Sequence, residues 1–401
     1  MIKTSIIFHY FYSKKGVKME SIILYGAGIY AEKFYAQNKG DVNIEFVIDR
    51  SVENFHNIPI YNFEEAKGRL RGKQIIVTMT KSNYISVKKE LIQLGLIEFD
   101  DFIWVKYFNK KLALLYGNCH MLPIKNYLEM QPEFARIYEI IYYRIGNEEE
   151  EEYPSSKVVD RCDLFVTQDI RENNSRHVPG YKELLKSIRS EIKVIIVPNL
   201  YGVNLFFPQF HKNENTDMTI RKHIENSRCF TGDTREIFNA LSYGNDENIE
   251  RMYLEGKSRQ EIIDKLCDDS LYDEDRIKDM FIKGINKILD RERECTIQIS
   301  KWILDNYQEK QLFYEPYHPT NVLLEEMAKQ CMHQLNLEIY DIVRTPGGMD
   351  SREVFIYNSV KKALGLRFQQ KYIRNYTRYG TLEDEALNLE GYVDYYIKWM
   401  L

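Results

Sequence analysis

Apolar residues in this chain first appear as short unbroken runs and only later at helical spacing. Ile22-Ile23-Leu24-Tyr25, Ile44-Glu45-Phe46-Val47-Ile48 and Ile75-Ile76-Val77-Thr78 are each bounded by polar or glycine-rich turns. Such runs read as strands buried on both faces. Helices fit between them, one from the Gly26-Ala27-Gly28 turn to Asn38 and one from Val87 to Leu94, closed by Gly95. Asn62 with Glu65 three residues on is a helix-start signature. Strand and helix in alternation predict a parallel sheet covered by helices over residues 19–108.

The alternation resumes at Leu112. Leu112–Tyr116, Asp163–Thr167, Ile192–Val197 and Leu312–Tyr314 are strand candidates, and Pro132 stops a helix over Ile124–Met130. Tyr138, Tyr142 and Tyr143 sit at helical spacing and read as packing, as do Tyr392, Tyr395 and Tyr396. Over about 246–305 the period becomes helical, with Ile262, Ile263 and Leu266, then Met280, Phe281, Ile285 and Ile288. This reads as a helical insertion capping a second α/β domain over 109–345. Past Pro346-Gly347-Gly348 a helical region is expected over 346–401. Residues 1–18 read as a disordered leader, with Met19 an alternative start, because His9 breaks the apolar run and no cleavage site follows. The predicted class is α/β: a short Rossmann-like parallel-sheet domain, then a second α/β domain with a helical cap and helical C-terminus.

A length of 401 residues agrees with two domains. Fifty-five Lys and Arg against 60 Asp and Glu give a net charge of −5, without the basic surplus of nucleic-acid binders. Six cysteines, at 119, 162, 229, 267, 295 and 331, form neither a C-x-x-C pair nor a zinc spacing. They read as reduced thiols of a cytoplasmic protein, and no metal is expected. No apolar stretch has the length of a membrane span. Residues 361–378 carry six Lys or Arg and no acid. A solvated helix is the simpler reading there, and peripheral contact with a membrane or an anionic glycan the alternative. The glutamate run Glu148–Glu152 reads as a solvated loop, and Thr231–Arg235 as a turn and helix cap.

Gly26-x-Gly28-x-x-Ala31 between a strand and a helix matches a phosphate-cradling turn. Asp49, ending the next strand, is placed to accept from a ribose. The unit is too short for two mononucleotide-binding halves, so a nucleotide or nucleotide sugar is the expected ligand, and a bare structural turn stays open beside it. The segment resembles the short nucleotide-binding domains attached to bacterial glycan-modifying enzymes.

A second glycine turn, Gly117-Asn118-Cys119-His120, follows the strand at Leu112, and Glu315-Pro316-Tyr317-His318-Pro319 lies far downstream. A cysteine between a strand and a helix N-terminus meets free amides and the positive end of the helix dipole, which favour a thiolate. Pro123 suits the first helical turn, and Gly117 allows a sharp bend. His318 would act as base and Glu315 as its orienter. Pro319 makes His318 an expected N-cap of the helix through Thr320–Met332. An amide of Asn118, Gln168 or Asn199 would supply an oxyanion donor at the strand ends. The plainer reading is a core cysteine and a capping histidine.

The layout resembles the SGNH hydrolases in roles, with Cys119 in the serine's place, Asn199 in the asparagine's and Glu315 in the aspartate's. It departs from them in its thiol nucleophile and in lacking a Gly-x-Asn-Asp block. A closer resemblance is to the WcbI-type capsular polysaccharide biosynthesis family, over roughly Leu112 to Arg344. The matching residues are Tyr116-Gly117-Asn118-Cys119-His120, Cys162–Gln168, Pro198-Asn199-Leu200-Tyr201 with Phe207-Pro208, and His318-Pro319-Thr320. His120 stands where that family's Gly-Asn-Cys-Gln signature has glutamine. The resemblance implies coenzyme A or acetyl-coenzyme A binding and transfer of an acyl, chiefly acetyl, group to a sugar or glycan in surface-polysaccharide assembly. Gly117 and His120 would then border the cofactor, and Arg171 and Arg176 would meet its phosphates. Two alternatives remain beside it: a thiol esterase that deacylates glycans, and a non-enzymatic coenzyme A or nucleotide-binding component of an assembly complex.

Overall fold

A computed structural model describes residues 21–40, 42–108, 110–146, 153–174, 177–210, 246–342, 353–370 and 388–400. The expectations for 1–18, Glu148–Glu152, Arg176, Thr231–Arg235, Pro346–Gly348 and 371–378 lie outside the described residues. So do the side chains of Tyr395 and Tyr396.

Strands β1 (Ile22–Tyr25), β2 (Ile44–Ile48), β3 (Ile60–Tyr61), β4 (Gln74–Val77) and β5 (Phe102–Trp104) form one sheet in the order β3-β2-β1-β4-β5. Every pairing is parallel. Helices Ile29–Asn38 and Lys81–Gln93 flank it, and Asn62 and Glu65 make a reciprocal capping box. The strand order reverses between β1 and β4, which puts a crevice at the ends of those strands.

A second parallel sheet holds β6 (Lys111–Gly117), β7 (Tyr138–Arg144), β8 (Leu164–Gln168) and β9 (Lys193–Val197) in the order β7-β6-β8-β9. Here the structure corrects the helical reading of Tyr138, Tyr142 and Tyr143. These residues belong to a strand paired along its length with β6. Ile140, Tyr138 and Tyr142 pack into one core and Ile141 and Tyr143 into the other. Large side chains at nearly every position hid the period of two. Leu312–Tyr314 does not join this sheet either. β10 (Phe313–Glu315) turns back through Pro316-Tyr317 and pairs antiparallel with β11 (His318–Pro319).

β6 is buried on both faces and divides the molecule. Leu112, Leu114 and Tyr116 pack with Phe34 and Phe108 of the first unit. Ala113 and Leu115 pack toward the helical region with Ile285, Leu324 and Met327. The first unit is thereby docked on one face of the second sheet and the helices on the other. Each large apolar side chain buried across these faces contributes about 1.5–3 kcal/mol.

The insertion forms helices Glu247–Leu254, Arg259–Leu266, Glu274–Glu292 and Ser300–Asn306. Asp246, Ser258 and Asp273 cap the first three. Gly284 lets the longest helix press on the loop after β9, since a Cβ there would lie 2.4 Å from Leu205 Cδ2 and 2.9 Å from Asn204 O. The C-terminal helices Asn358–Leu364 and Leu389–Met400 pack on this insertion. Buried Asp246 ties them in by accepting from the Tyr357 hydroxyl at 2.5 Å and the Tyr392 hydroxyl at 3.4 Å. Among the described residues no helix is long and apolar enough to cross a membrane.

Candidate functional site

The strand order of the second sheet reverses between β6 and β8, so a crevice opens at their carboxyl ends. Gly117 ends β6, and a Cβ there would lie 2.5 Å from Gln168 Oε1 and 2.7 Å from Met121 Cγ. Glycine is required for room beside Gln168, and the chain bends directly after it, over Asn118–His120, without a positive φ at Gly117. Asn118 then ties the turn together. Its amide donates to Gln168 Oε1 at 2.7 Å and its Nδ2 to Asn199 Oδ1 at 3.1 Å. Its Oδ1 accepts from the His120 amide at 3.0 Å, and its carbonyl accepts from the Tyr142 hydroxyl at 2.7 Å. Helix Met121–Met130 starts directly afterwards, with Pro123 in its first turn. Cys119 is partly exposed just ahead of that helix.

The β10–β11 hairpin brings His318 to this turn. His318 Nδ1 lies 2.6 Å from Glu315 Oε1, with the two side chains 6% and 0% exposed. The imidazole is also hydrogen-bonded to Cys119. Burial pulls its pKa down, but the hydrogen bonds to Cys119 and Glu315 and the Glu315 charge outweigh that and raise it to about 9. His318 therefore carries a proton at neutral pH. The expected N-cap role is corrected: His318 is a strand residue, and Thr320 precedes the helix Asn321–Gln334. Two bulky residues and a proline after Glu315 favour the tight hairpin over an early helix.

His120 braces the hairpin against the cysteine turn. Its Nε2 lies 2.7 Å from the Tyr317 carbonyl, so that nitrogen carries the hydrogen. Burial lowers its pKa to about 3, and the ring is neutral. Only 1% exposed, it faces the interior, and among the described residues its Nδ1 has no partner.

Gln168, at the end of β8, is fully buried. Its Oε1 holds the Asn118 amide, which fixes the orientation of the side-chain amide. Its Nε2 is left without an acceptor among the described residues. Beside it, Asp169 Oδ1 accepts the Asn199 amide at 2.5 Å. Burial lifts the Asp169 carboxyl to about 6, against the Asn199 amide and the charges of Arg291 and Arg171. Asn199 Oδ1 also takes the Tyr201 amide, at 3.0 Å.

Four further residues enter from elements whose pairing or facing sequence does not reveal. Arg291 donates to the carbonyls of Asn199 and Tyr201, and Lys287 to that of Gly202 at 2.8 Å. Burial lowers both cations' pKa values. Tyr317 and Tyr201 rings pack at 4.9 Å beside them. The i, i+4 spacing of Lys287 and Arg291 was the available signal, but not which way the helix faces.

The glycine turn of the first unit is arranged differently. Gly26 has φ +108°, and a Cβ there would lie 2.9 Å from Met79 Cγ and from Thr78 O. Asp49 Oδ2 accepts the Ala27 amide at 2.8 Å, and Oδ1 accepts the Ser51 and Val52 amides at 2.9 and 3.2 Å. Burial raises the Asp49 pKa, and those amides outweigh it to a net lowering. The carboxylate expected to meet a ribose is thus engaged by its own loops. Gly28 stands open at the helix start, and Ala31 is fully buried, where a larger side chain would hold the helix off.

A family model described as the polysaccharide biosynthesis enzyme WcbI matches residues 112–339, more than half of the chain. A solved structure is also similar at TM-score 0.53 and 17% identity, covering 73% of this chain and 90% of that one. It is described as WcbI, a polysaccharide biosynthesis enzyme, native and without a disulfide bond between coenzyme A and one of its cysteines. At that identity the likeness speaks for the fold. No curated protein matches. With the matched region spanning both the Gly117–His120 turn and the His318 hairpin, the chain belongs to the WcbI family of polysaccharide biosynthesis enzymes.

Proposed function

We propose that the protein transfers an acyl group, chiefly acetyl, from a coenzyme A thioester to a hydroxyl or amine of a sugar during surface-polysaccharide assembly. The observation that carries this reading is the Cys119–His318–Glu315 chain at the β6 end, with the imidazole bonded to the thiol on one side and to a buried carboxylate on the other. Two features fit coenzyme A. Gln168 Nε2 is a buried donor awaiting an acceptor. Lys287 and Arg291 are partly desolvated cations that donate to main-chain carbonyls, and with exposed Arg171 they suit phosphates. Coenzyme A supplies the activated acyl group as a thioester.

The chain's own residues do the rest. Cys119 Sγ attacks the thioester carbonyl, and its proton resides on His318. Gln168 Nε2 donates to the developing oxyanion. The C–S bond to the departing thiol breaks as His318 protonates that sulfur, leaving an acyl-cysteine and a neutral imidazole. His318 then takes the proton of the acceptor hydroxyl or amine as it attacks, and Cys119 leaves as a thiolate beside the restored imidazolium. Glu315 holds the ring and stabilises its charge throughout.

Intact-protein mass spectrometry after incubation with acetyl-coenzyme A tests the route. A mass gain of one acetyl group on Cys119, absent in Cys119→Ala, is expected. An unmodified Cys119 in a protein that still acetylates its acceptor would replace this route with direct attack by the acceptor.

A further inference from the structure

Helix Glu274–Glu292 carries a row of cations that the cysteine chemistry does not use. Arg276, Lys283 and Lys287 line one cleft of about 420 Å³ with Met280 and Pro208, and Asp279 is the acid among its lining residues. Arg276, Lys283, Lys287 and Arg291 follow one another at steps of seven, four and four, so they share one face of the helix. At 1.5 Å per residue that row is roughly 22 Å long. Three cations against one acid leave a surplus of two along the cleft itself. Lys283 pairs with Asp279 at 2.6 Å in an exposed position, and the Arg276 guanidinium lies 5.0 Å over the Tyr272 ring.

At its Lys287 end the row comes near the β10–β11 hairpin. Lys287 Nζ holds the Gly202 carbonyl. A Cβ on Gly202 would lie 3.8 Å from that Nζ and 3.9 Å from the Tyr317 ring, and Tyr317 directly precedes His318. A straight row of spaced cations matches an extended polyanion better than a compact one, and Met280 and Pro208 offer apolar surface to sugar-ring faces.

We propose that this helix face is the acceptor track and that it takes an extended, carboxylate-bearing glycan chain, delivering one sugar to Cys119 and His318. The inference rests on the acyl-transfer reading and supplies its acceptor class. Arg276 and Lys283 lie beyond the residues assigned to coenzyme A or to the chemistry.

Isothermal titration at low salt with hexagalacturonate as probe tests it, with maltohexaose as the uncharged counterpart. Hexagalacturonate is expected to bind at least tenfold more tightly than maltohexaose and to lose at least tenfold in an Arg276→Glu/Lys283→Glu variant. Lys278→Glu, on the far side of the helix and paired with Glu274, is expected to leave binding unchanged. Absence of hexagalacturonate binding overturns the track, as does equal loss in Lys278→Glu. Coenzyme A titrated alone keeps the two readings separate. Its failure to bind would remove the acyl donor, while the track still stands or falls on the hexagalacturonate arm.

Discussion

The chain builds the same local device twice: a buried strand, a glycine turn and a helix at the place where a parallel sheet reverses its order. The two devices differ in how their polar groups are used. At the end of β1, both Asp49 oxygens are taken by main-chain amides, and the Thr78 hydroxyl donates to the Gly26 carbonyl at 2.6 Å. At the end of β6, Gln168 Nε2 and His120 Nδ1 lack partners among the described residues, and His318 holds a proton between a thiol and a buried carboxylate. Buried polar groups left unpaired cost free energy, and on the proposed function a ligand or transition state would supply the missing partners at the β6 end.

The comparison breaks most severely at Cys119. Cys119→Ala is expected to lower acyl transfer by on the order of 10³-fold or more, read as product formed from acetyl-coenzyme A, with the melting temperature nearly unchanged. Activity within tenfold of wild type would move the chemistry elsewhere. Next comes Gln168→Glu, which keeps the acceptor for the Asn118 amide but replaces the donor with an oxygen. A loss of about 10²- to 10³-fold in kcat is expected, as for an oxyanion donor. An effect on KM alone would make Gln168 a binding group.

Glu315→Gln sharpens the account of His318. The His318 pKa is raised in the folded state, to about 9 from an ordinary 6.5. Its contribution is therefore fully present below about pH 6.5 and lost as pH rises through about 9. The variant should melt well below wild type at pH 6, and the gap should narrow toward pH 9. A gap that stays constant or widens over that range would mean Glu315 acts apart from the imidazole's proton.

In the first unit the expected effect is on stability. Asp49→Ala removes one acceptor shared by three amides and should cost about 1–2 kcal/mol, seen in urea unfolding, with acyl transfer unchanged. The smallest effect is expected from nucleotide sugars, since their ribose acceptor is already engaged. A thermal shift of several degrees that vanishes in Asp49→Ala would make the two turns alike, because a ligand of the folded state must raise stability.

Much of this was open to reading along the chain. Runs of Ile, Leu and Val marked most strands, the Asn62–Glu65 pair marked its capping box, and Gly117–His120 with Glu315–His318 marked the two segments that meet at the candidate site. β7 was missed because tyrosine and isoleucine fill both of its faces, which erases the alternation that identifies a strand. Lys287 and Arg291 were missed for another reason. Their helix was legible, but its rotation is decided by Gly284 packing against Leu205 and Asn204.

Sequence by itself determined what is local: which segments are strands or helices, where glycine is needed, and which residue types carry thiol, imidazole and carboxylate chemistry. Periodicity and capping act over a few residues, so they survive in one dimension. Tertiary structure alone decided that His318 meets Cys119, that His120 faces inward to the Tyr317 carbonyl, and that Asp49 is consumed while Gln168 Nε2 waits. Those outcomes depend on hydrogen bonds and burial between segments up to about two hundred residues apart, where spacing along the chain carries no record of distance in space.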